Sequence, residues 1–157
     1  MSWKNESDQI EQRRALALKL GGEEAVAKQH ARGKLTIRER IDGLVDGQSF
    51  SEQGPLAGHA ELDDEGNLVE FTPGNYILGL AKIDGRPCAI GGEDFTQRGG
   101  SPTPAGLRKS AYAEELAYRH RIPLVRFLEG GGGSVRGTGK RDAGPRLAGD
   151  AVYTRPR

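Results

Sequence analysis

The sequence predicts an α/β fold, because two strands joined by a tight turn, a helix and a further apolar strand follow one another along it. Tyr76 to Ile83 is strand-like, Asp84-Gly85 is a two-residue turn of the kind that favours type I′ geometry, and Arg86 to Ile90 returns as a second strand. Thr103-Pro104 then begins a helix that runs to about His120, and Ile122 to Leu128 is a near-continuous apolar strand.

These elements form a β-α-β unit, in which the hairpin's second strand, the helix and the last strand are consecutive. Crossovers of this kind are right-handed and imply a parallel pair of strands. Pro87 has no N–H to donate, which predicts an edge position or the start of a strand there. The segment 49–71 is expected to be rich in turns, with a reversal at 64–66, and the segment 91–106 is expected to be a loop.

The first 48 residues predict a helical arm. Asp8 to Leu20 and Glu23 to His30 are helical runs separated by Gly21-Gly22, where glycine takes a left-handed C-cap at little cost. Thr36 and Glu39 are spaced as a capping box. That box begins a third helix, which we expect to end at Gly47. Its apolar face consists of four residues: Ile37, Ile41, Leu44 and Val45.

Composition excludes several classes of protein. Among 157 residues, 23 Lys and Arg nearly balance 22 Asp and Glu, so no general attraction to nucleic acid or anionic membrane is expected. Cys88 is the single cysteine, so no intramolecular disulfide forms and a reducing cytoplasm is expected. Neither a signal peptide nor a membrane helix is expected from the sequence. His30, His59 and His120 have no metal-ligand spacing and are interpreted as surface or capping residues, so no metal is predicted.

Two glycine clusters are the candidate sites of chemistry, since each follows a predicted strand. Gly99-Gly100 lies in the loop at 91–106, and Gly130 to Gly133 follows the last strand and Glu129. Glycine lets bare backbone N–H groups approach a ligand closely, and such donors stabilise oxyanions. Neither a Walker loop nor a dinucleotide fingerprint fits the spacing. Glycine spacing alone leaves an ordinary flexible loop equally open, and Glu93-Asp94 is interpreted as structural rather than as a catalytic pair.

Three segments in order resemble a known family. The run from Arg32 to Ile41, continued by Ser49-Phe50, resembles the N-terminal signature of carboxyltransferase (β) subunits of acetyl-, propionyl- and methylcrotonyl-CoA carboxylases. Glu93 to Ser101 is similar to that family's Asp-Phe-Thr…Gly-Gly-Ser loop, and Glu129 to Gly133 is similar to its glycine-rich loop. The resemblance covers about residues 10–140 and implies a crotonase-like spiral of β-β-α units.

The resemblance also implies a reaction. An acyl-CoA binds, its α-carbon becomes an enolate held by backbone amides, and the enolate takes a carboxyl group from carboxybiotin. Backbone donors for the oxyanion are then Gly131, Gly132 and Gly133. The CoA-binding residues that we predict are Gly99, Gly100, Ser101, Arg32 and Lys34. The family implies biotin on a partner carrier protein, a biotin carboxylase subunit and a homo-oligomer, with no covalently bound cofactor.

We therefore divide the chain into a helical arm (1–48), a partial carboxyltransferase lobe (49–140) and a basic, disordered tail (141–157). The family has a second lobe for the biotin side, and this chain stops at Arg157. The sequence therefore predicts an incomplete lobe that is inactive alone. The alternative is a truncated, non-catalytic module that binds CoA or serves assembly.

Overall fold

The computed structural model describes residues 3–129. Four helices, six strands and one 3-10 turn occur within this range. The helices are α1 Lys4–Leu18, α2 Glu23–His30, α3 Ile37–Asp42 and α4 Pro104–His120, and the 3-10 turn is Arg98–Gly100. The strands are β1 Ser51–Glu52, β2 Gly58–Leu62, β3 Leu68–Pro73, β4 Tyr76–Ile83, β5 Arg86–Glu93 and β6 Leu124–Phe127.

The main sheet has the order β1-β4-β5-β6 within the described range. Strands β4 and β5 form the predicted antiparallel hairpin, and φ is positive at both Asp84 (51°) and Gly85 (74°), as a type I′ turn requires. Strand β6 pairs parallel with β5 after the crossover through α4. The predicted β-α-β unit is thus confirmed.

Pro87 lies at the start of a strand, the second of the two positions its missing N–H predicted. Strand β5 begins at Arg86, and pairing with β6 begins only at Ala89, whose N–H donates to the Pro123 carbonyl at 2.9 Å. The amides of alternate residues in a strand point toward the same neighbouring strand. The missing donor of Pro87 therefore points to a side that β6 has not yet reached.

The two faces of the sheet carry different helices. One face packs on the arm, in a core formed by Leu20, Ile37, Ile41, Ile77, Ala81, Cys88 and Ile90. The other face packs on α4, in a core formed by Tyr76, Leu78, Ala113 and Leu116. The residues of β4 alternate between the two cores, as a strand that is buried on both faces requires. The arm therefore packs on the sheet of its own chain.

The predicted end of the third helix was wrong. Helix α3 ends at Asp42 with Gly43 as its C-cap, four residues before Gly47. After α3 the chain turns toward the β4–β5 hairpin, because the Asp46 N–H donates to the Lys82 carbonyl at 2.8 Å. The Asp46 carboxylate also accepts hydrogen bonds from both amides of the hairpin turn, at 2.9 and 2.8 Å.

The role expected for Gly21 was also wrong in its physical reason. Positive φ angles occur at Leu20 (55°) and Gly22 (91°), and not at Gly21. Gly21 is required because a Cβ there would overlap the backbone of Thr96, whose Oγ1 accepts a 2.8 Å hydrogen bond from the Gly21 N–H. This close approach joins the arm to the loop after β5.

The turn-rich segment contains a hairpin that was not expected. Strands β2 and β3 pair antiparallel, and the reversal between them is held by Asp63, whose carboxylate accepts from the amides of Glu65 and Asn67. The predicted reversal at residues 64–66 is confirmed. The domain boundary at residue 48 stays a prediction, and the boundary at 140 and the tail at 141–157 lie outside the described residues.

Candidate functional site

The carboxyl ends of β5 and β6 lie at the same edge of the sheet, because the two strands are parallel. The β5 loop spans residues 94–103 and runs into α4. Strand β6 leads into Glu129, the last described residue before the four glycines. In open α/β sheets, ligands gather at this edge.

The β5 loop is held in shape by a buried carboxylate. Asp94 is fully buried, and it accepts hydrogen bonds from Thr96 N–H (3.0 Å), Thr96 Oγ1 (2.6 Å) and Gln97 Nε2 (2.8 Å). Because its carboxylate accepts three hydrogen bonds from the loop, Asp94 has a structural role there and not a catalytic one. The structural interpretation of Asp94 is therefore confirmed.

The glycines of this loop have the backbone freedom their pattern predicted. Gly99 (φ 60°) and Gly100 (φ 77°) are both left-handed, and a Cβ on Gly100 would lie 2.6 Å from the Phe95 ring. Ser101 follows directly, and its carbonyl accepts a 2.7 Å hydrogen bond from Asn75 Nδ2. The loop thus presents backbone, and not side chains, along this stretch.

A cleft of about 430 Å³ lies between this loop and the arm. Its walls are Gly21, Glu24, Ala25, Lys28, Gln29, Arg32, Phe95, Thr96 and Gly99. The cleft thus brings together Arg32 and Gly99, two of the predicted CoA-binding residues from distant parts of the sequence. Lys28 adds a second cation, an aromatic ring forms one wall, and Glu24 is 3.9 Å from Lys28 Nζ.

Glu129 ties the end of β6 to the arm. Its carboxylate receives Lys34 Nζ at 2.5 Å, Arg40 at 2.5 Å and Gln29 Nε2 at 3.4 Å, and its side chain is 13% exposed. Burial acts to raise the pKa of Glu129, but the hydrogen bonds from Lys34 and Arg40 outweigh it, so the pKa is lowered. Glu129 is therefore ionised at neutral pH and fixes the end of the described chain to the arm.

Residues 28–151 match the carboxyl transferase domain. The chain belongs to this family. The β chain of methylcrotonoyl-CoA carboxylase from Arabidopsis thaliana is 42% identical over 113 residues, which are 71% of this chain and 18% of that protein. A probable biotin-dependent acyl-CoA carboxylase β2 subunit of Mycobacterium tuberculosis is 37% identical over 130 residues, 82% of this chain and 23% of that protein.

Solved structures agree with this assignment. Transcarboxylase 12S, solved as a hexamer with methylmalonyl-CoA bound, matches 86% of this chain and 26% of its own, with a TM-score of 0.70 and 31% identity. A single-chain long-chain acyl-CoA carboxylase matches 86% of this chain and 14% of its own, with a TM-score of 0.67 and 34% identity. The fold is therefore crotonase-like, as the resemblance implied, and this chain spans about a quarter or less of these relatives.

In this carboxyl transferase domain, the other predicted site residues are placed as follows. Lys34 is engaged with Glu129, and Ser101 with Asn75, outside the cleft that contains Arg32. The predicted oxyanion donors Gly131, Gly132 and Gly133 lie outside the described residues.

The three histidines agree with their interpretation as surface or capping residues. All three histidines are exposed, and His30 Nε2 lies 2.9 Å from Glu39 Oε2. That contact, with the Thr36 cap, lowers the pKa of Glu39 to about 2. Cys88 is buried in the core, and burial raises the pKa of its thiol. Within residues 3–129 no cluster of side chains could hold a metal ion, and no helix is long and apolar enough to cross a membrane.

Sequence reasoning missed the Glu129 bridge and a second charged cluster. Arg38 holds Glu52 through two hydrogen bonds of 2.8 and 3.2 Å, and Lys109 Nζ lies 3.9 Å from the same carboxylate. These residues come from α3, β1 and α4, far apart in sequence. No local pattern indicates such pairs.

Proposed function

We propose that this chain forms the acyl-CoA-binding part of a biotin-dependent carboxyltransferase. The observation that carries the proposal is the carboxyl transferase match over residues 28–151, which includes both glycine loops. A cationic cleft lies between the arm and one of those loops. Because the chain spans a quarter or less of its relatives, the activity of the complete protein is inferred and belongs to this proposal.

The proposed reaction moves a carboxyl group from carboxybiotin to the α-carbon of an acyl-CoA. The N–C bond of carboxybiotin breaks, a C–C bond forms at the α-carbon, and the α-proton leaves with biotin. The thioester enolate is held by the backbone amides of Gly131 and Gly132, with Gly133 as a further donor. Each such donor contributes about 10²–10³-fold in rate.

For coenzyme A itself, the proposed site is the cleft between the arm and the β5 loop. Arg32 and Lys28 supply positive charge for the phosphates, and the Phe95 ring offers a flat apolar wall. Gly99 allows the ligand to approach the backbone, and Gly100 allows the same on the other side of the loop. Lys34 and Ser101 remain predicted CoA-binding residues, and their present contacts are with Glu129 and Asn75.

The partners proposed for the complete enzyme follow from its chemistry. Carboxybiotin has to arrive on a carrier protein charged by a biotin carboxylase. A homo-oligomer is also proposed, on the resemblance to a transcarboxylase whose hexamer is known.

Calorimetry on the purified chain tests the binding half of the proposal. CoA and propionyl-CoA should bind, and free biotin should not. Arg32→Glu should weaken CoA binding about tenfold or more, since it replaces a phosphate-facing cation with an anion. Arg86→Glu, at the far end of β5, is the matched control and should leave binding unchanged. A folded sample that shows no heat with any CoA compound contradicts the proposal.

Carboxyl transfer tests the catalytic half, in the complete enzyme that contains this segment. Gly131→Val and Gly132→Val should each lower the rate about 10²-fold or more by crowding the amides, with little change in thermal stability. Normal rates in both variants would remove these glycines from the oxyanion site, while the CoA-binding result would stand.

A further inference from the structure

A second, smaller cavity lies on the other side of the β5 loop from the cleft. It has a volume of about 150 Å³ and is lined by Asn75, Tyr76, Glu93, Gly100, Pro102, Gly106, Leu107 and Ser110. Pro102 and Leu107 are exposed and form its mouth, while Tyr76, only 1% exposed, forms its inner wall. Gly99 lines the cleft and Gly100 lines this cavity, so two adjacent glycines separate the two spaces.

Two polar atoms of this cavity lack hydrogen-bond partners among residues 3–129. They are the Tyr76 hydroxyl and Glu93 Oε2, both buried. Tyr76 and Glu93 are direct cross-strand partners of β4 and β5, so their side chains project from the same face of the sheet. Buried polar atoms are rarely left without partners in folded proteins, and each exception requires an explanation.

The two atoms have complementary hydrogen-bonding roles. Burial raises the pKa of Tyr76, so its hydroxyl stays protonated and is a donor. Ser110 and Arg126 flank the hydroxyl without reaching hydrogen-bond geometry within the described residues. Glu93 Oε2 is an acceptor. One donor and one acceptor side by side, between walls of proline, leucine and glycine, suit a ligand with both an N–H and a C=O.

We propose that this cavity binds one secondary amide of the pantetheine arm of coenzyme A. Tyr76 Oη donates to the amide oxygen, and Glu93 Oε2 accepts from the amide N–H. The inference rests on the proposed function, which names CoA as the ligand. It adds a subsite on the α4 face of the sheet, distinct from the phosphate cleft on the arm face.

The size of the cavity agrees with this occupant. A cavity of about 150 Å³ has room for more than one water and for a group of the size of one amide with a methylene on each side. The whole arm does not fit, so the rest of it lies across the mouth. Because Gly99 and Gly100 are neighbours, a ligand crossing the loop backbone at this point reaches both spaces, and side chains there would obstruct it.

The test uses the two halves of CoA as separate probes. Adenosine 3′,5′-bisphosphate carries phosphates without the arm, and pantetheine carries the amides without the nucleotide. Tyr76→Phe removes only the hydroxyl, and losing a buried hydroxyl without a partner should leave the fold intact. Tyr112→Phe, on the exposed side of α4, is the matched control. Calorimetry with CoA, the bisphosphate and pantetheine is run on the parent protein, on these two variants and on Ser110→Val.

Tyr76→Phe should weaken the binding of CoA and pantetheine about fivefold, the loss typical of one hydrogen bond, and leave the binding of the bisphosphate unchanged. Ser110→Val, which narrows the cavity, should do the same. If CoA binds and both variants bind CoA and pantetheine like the parent, the subsite is refuted and the cavity holds only water, while the proposed function stands. If neither CoA nor either half binds the parent protein, the proposed function fails first, and this inference with it.

Discussion

Replacing Lys109 by methionine is expected to change how the stability of this chain depends on pH. The Lys109 side chain is 7% exposed, and its Nζ lies 3.9 Å from Glu52 Oε1, a carboxylate already held by Arg38. Burial is the largest influence on Lys109 and outweighs the opposing attraction of Glu52; with a smaller contribution from Arg38, the net effect lowers the pKa from 10.5 to about 8. The charged ammonium is therefore less stable in the folded protein than in the unfolded chain.

The sign and size of the effect follow from proton linkage. Between about pH 8 and pH 10.5 the unfolded chain binds more protons than the folded one at this lysine, so stability rises with pH in that range. A pKa difference of about 2.5 units corresponds to about 3 kcal/mol in full, and to about 2 kcal/mol between about pH 7 and pH 9.5. Lys109→Met removes the titrating group and leaves the Arg38–Glu52 pair in place.

Urea denaturation at a series of pH values measures this directly. The difference in free energy of unfolding between the parent protein and Lys109→Met should shift by about 2 kcal/mol toward the parent from about pH 7 to pH 9.5. Lys82→Met, on an exposed position of β4, is the control and should run parallel to the parent. A constant difference for Lys109→Met across that range would refute the argument that burial governs this lysine.

Two further substitutions test how the loops are held, each against a matched control in thermal melts. Gly21→Ala should destabilise the protein by about 1–3 kcal/mol, because the added Cβ overlaps the backbone of Thr96. Gly47 has open space around it, so Gly47→Ala should change stability by less than about 0.5 kcal/mol. Equal effects of the two substitutions would contradict the close approach of Gly21 to Thr96. Glu129→Ala should lower the free energy of unfolding by about 1–2 kcal/mol. Glu115 forms an exposed ion pair, so Glu115→Ala should lower it by less than about 0.5 kcal/mol. A Glu129 variant as stable as the parent would show that the contacts of Glu129 do not stabilise the fold.

The sequence predicted those elements whose causes are local. Asp84-Gly85 needs two positive φ angles, Thr36 and Glu39 satisfy each other's amides within one turn, and Thr103 caps α4 through the Gly106 N–H. Each of these signals lies within four residues and has one favourable geometry. The helix, the hairpin and the capping box were predictable for that reason.

The errors have physical causes too. Within the β2–β3 hairpin Phe71 alone is buried, so no apolar alternation marks those strands. Leu44 continues the apolar period of α3 but is 42% exposed, because Asp46 pulls the chain toward the hairpin turn. Apolar periodicity indicates which residues are buried, whereas the end of this helix is determined by the hydrogen bonds of Asp46.

For the candidate site, residue types were predictable and pairings were not. Glycine clusters after strands identified the loop containing Gly99, and basic residues near the family signature identified Arg32, which lines the same cleft. The partners of Lys34, and the orphaned atoms of Tyr76 and Glu93, depend on contacts between elements that only the folded chain brings together.

The Glu129 bridge also bears on the order in which this chain folds. Its partners Gln29, Lys34 and Arg40 lie 100, 95 and 89 positions earlier. Contacts this distant in sequence form slowly, because a long loop must close before they contribute. On a ribosome that adds about 5–20 residues per second, the arm emerges several seconds or more before its anion does. The arm can meanwhile dock on the β4–β5 hairpin through Ile37 and Ile41, so the contacts of Glu129 are expected to form after the core between the arm and the sheet.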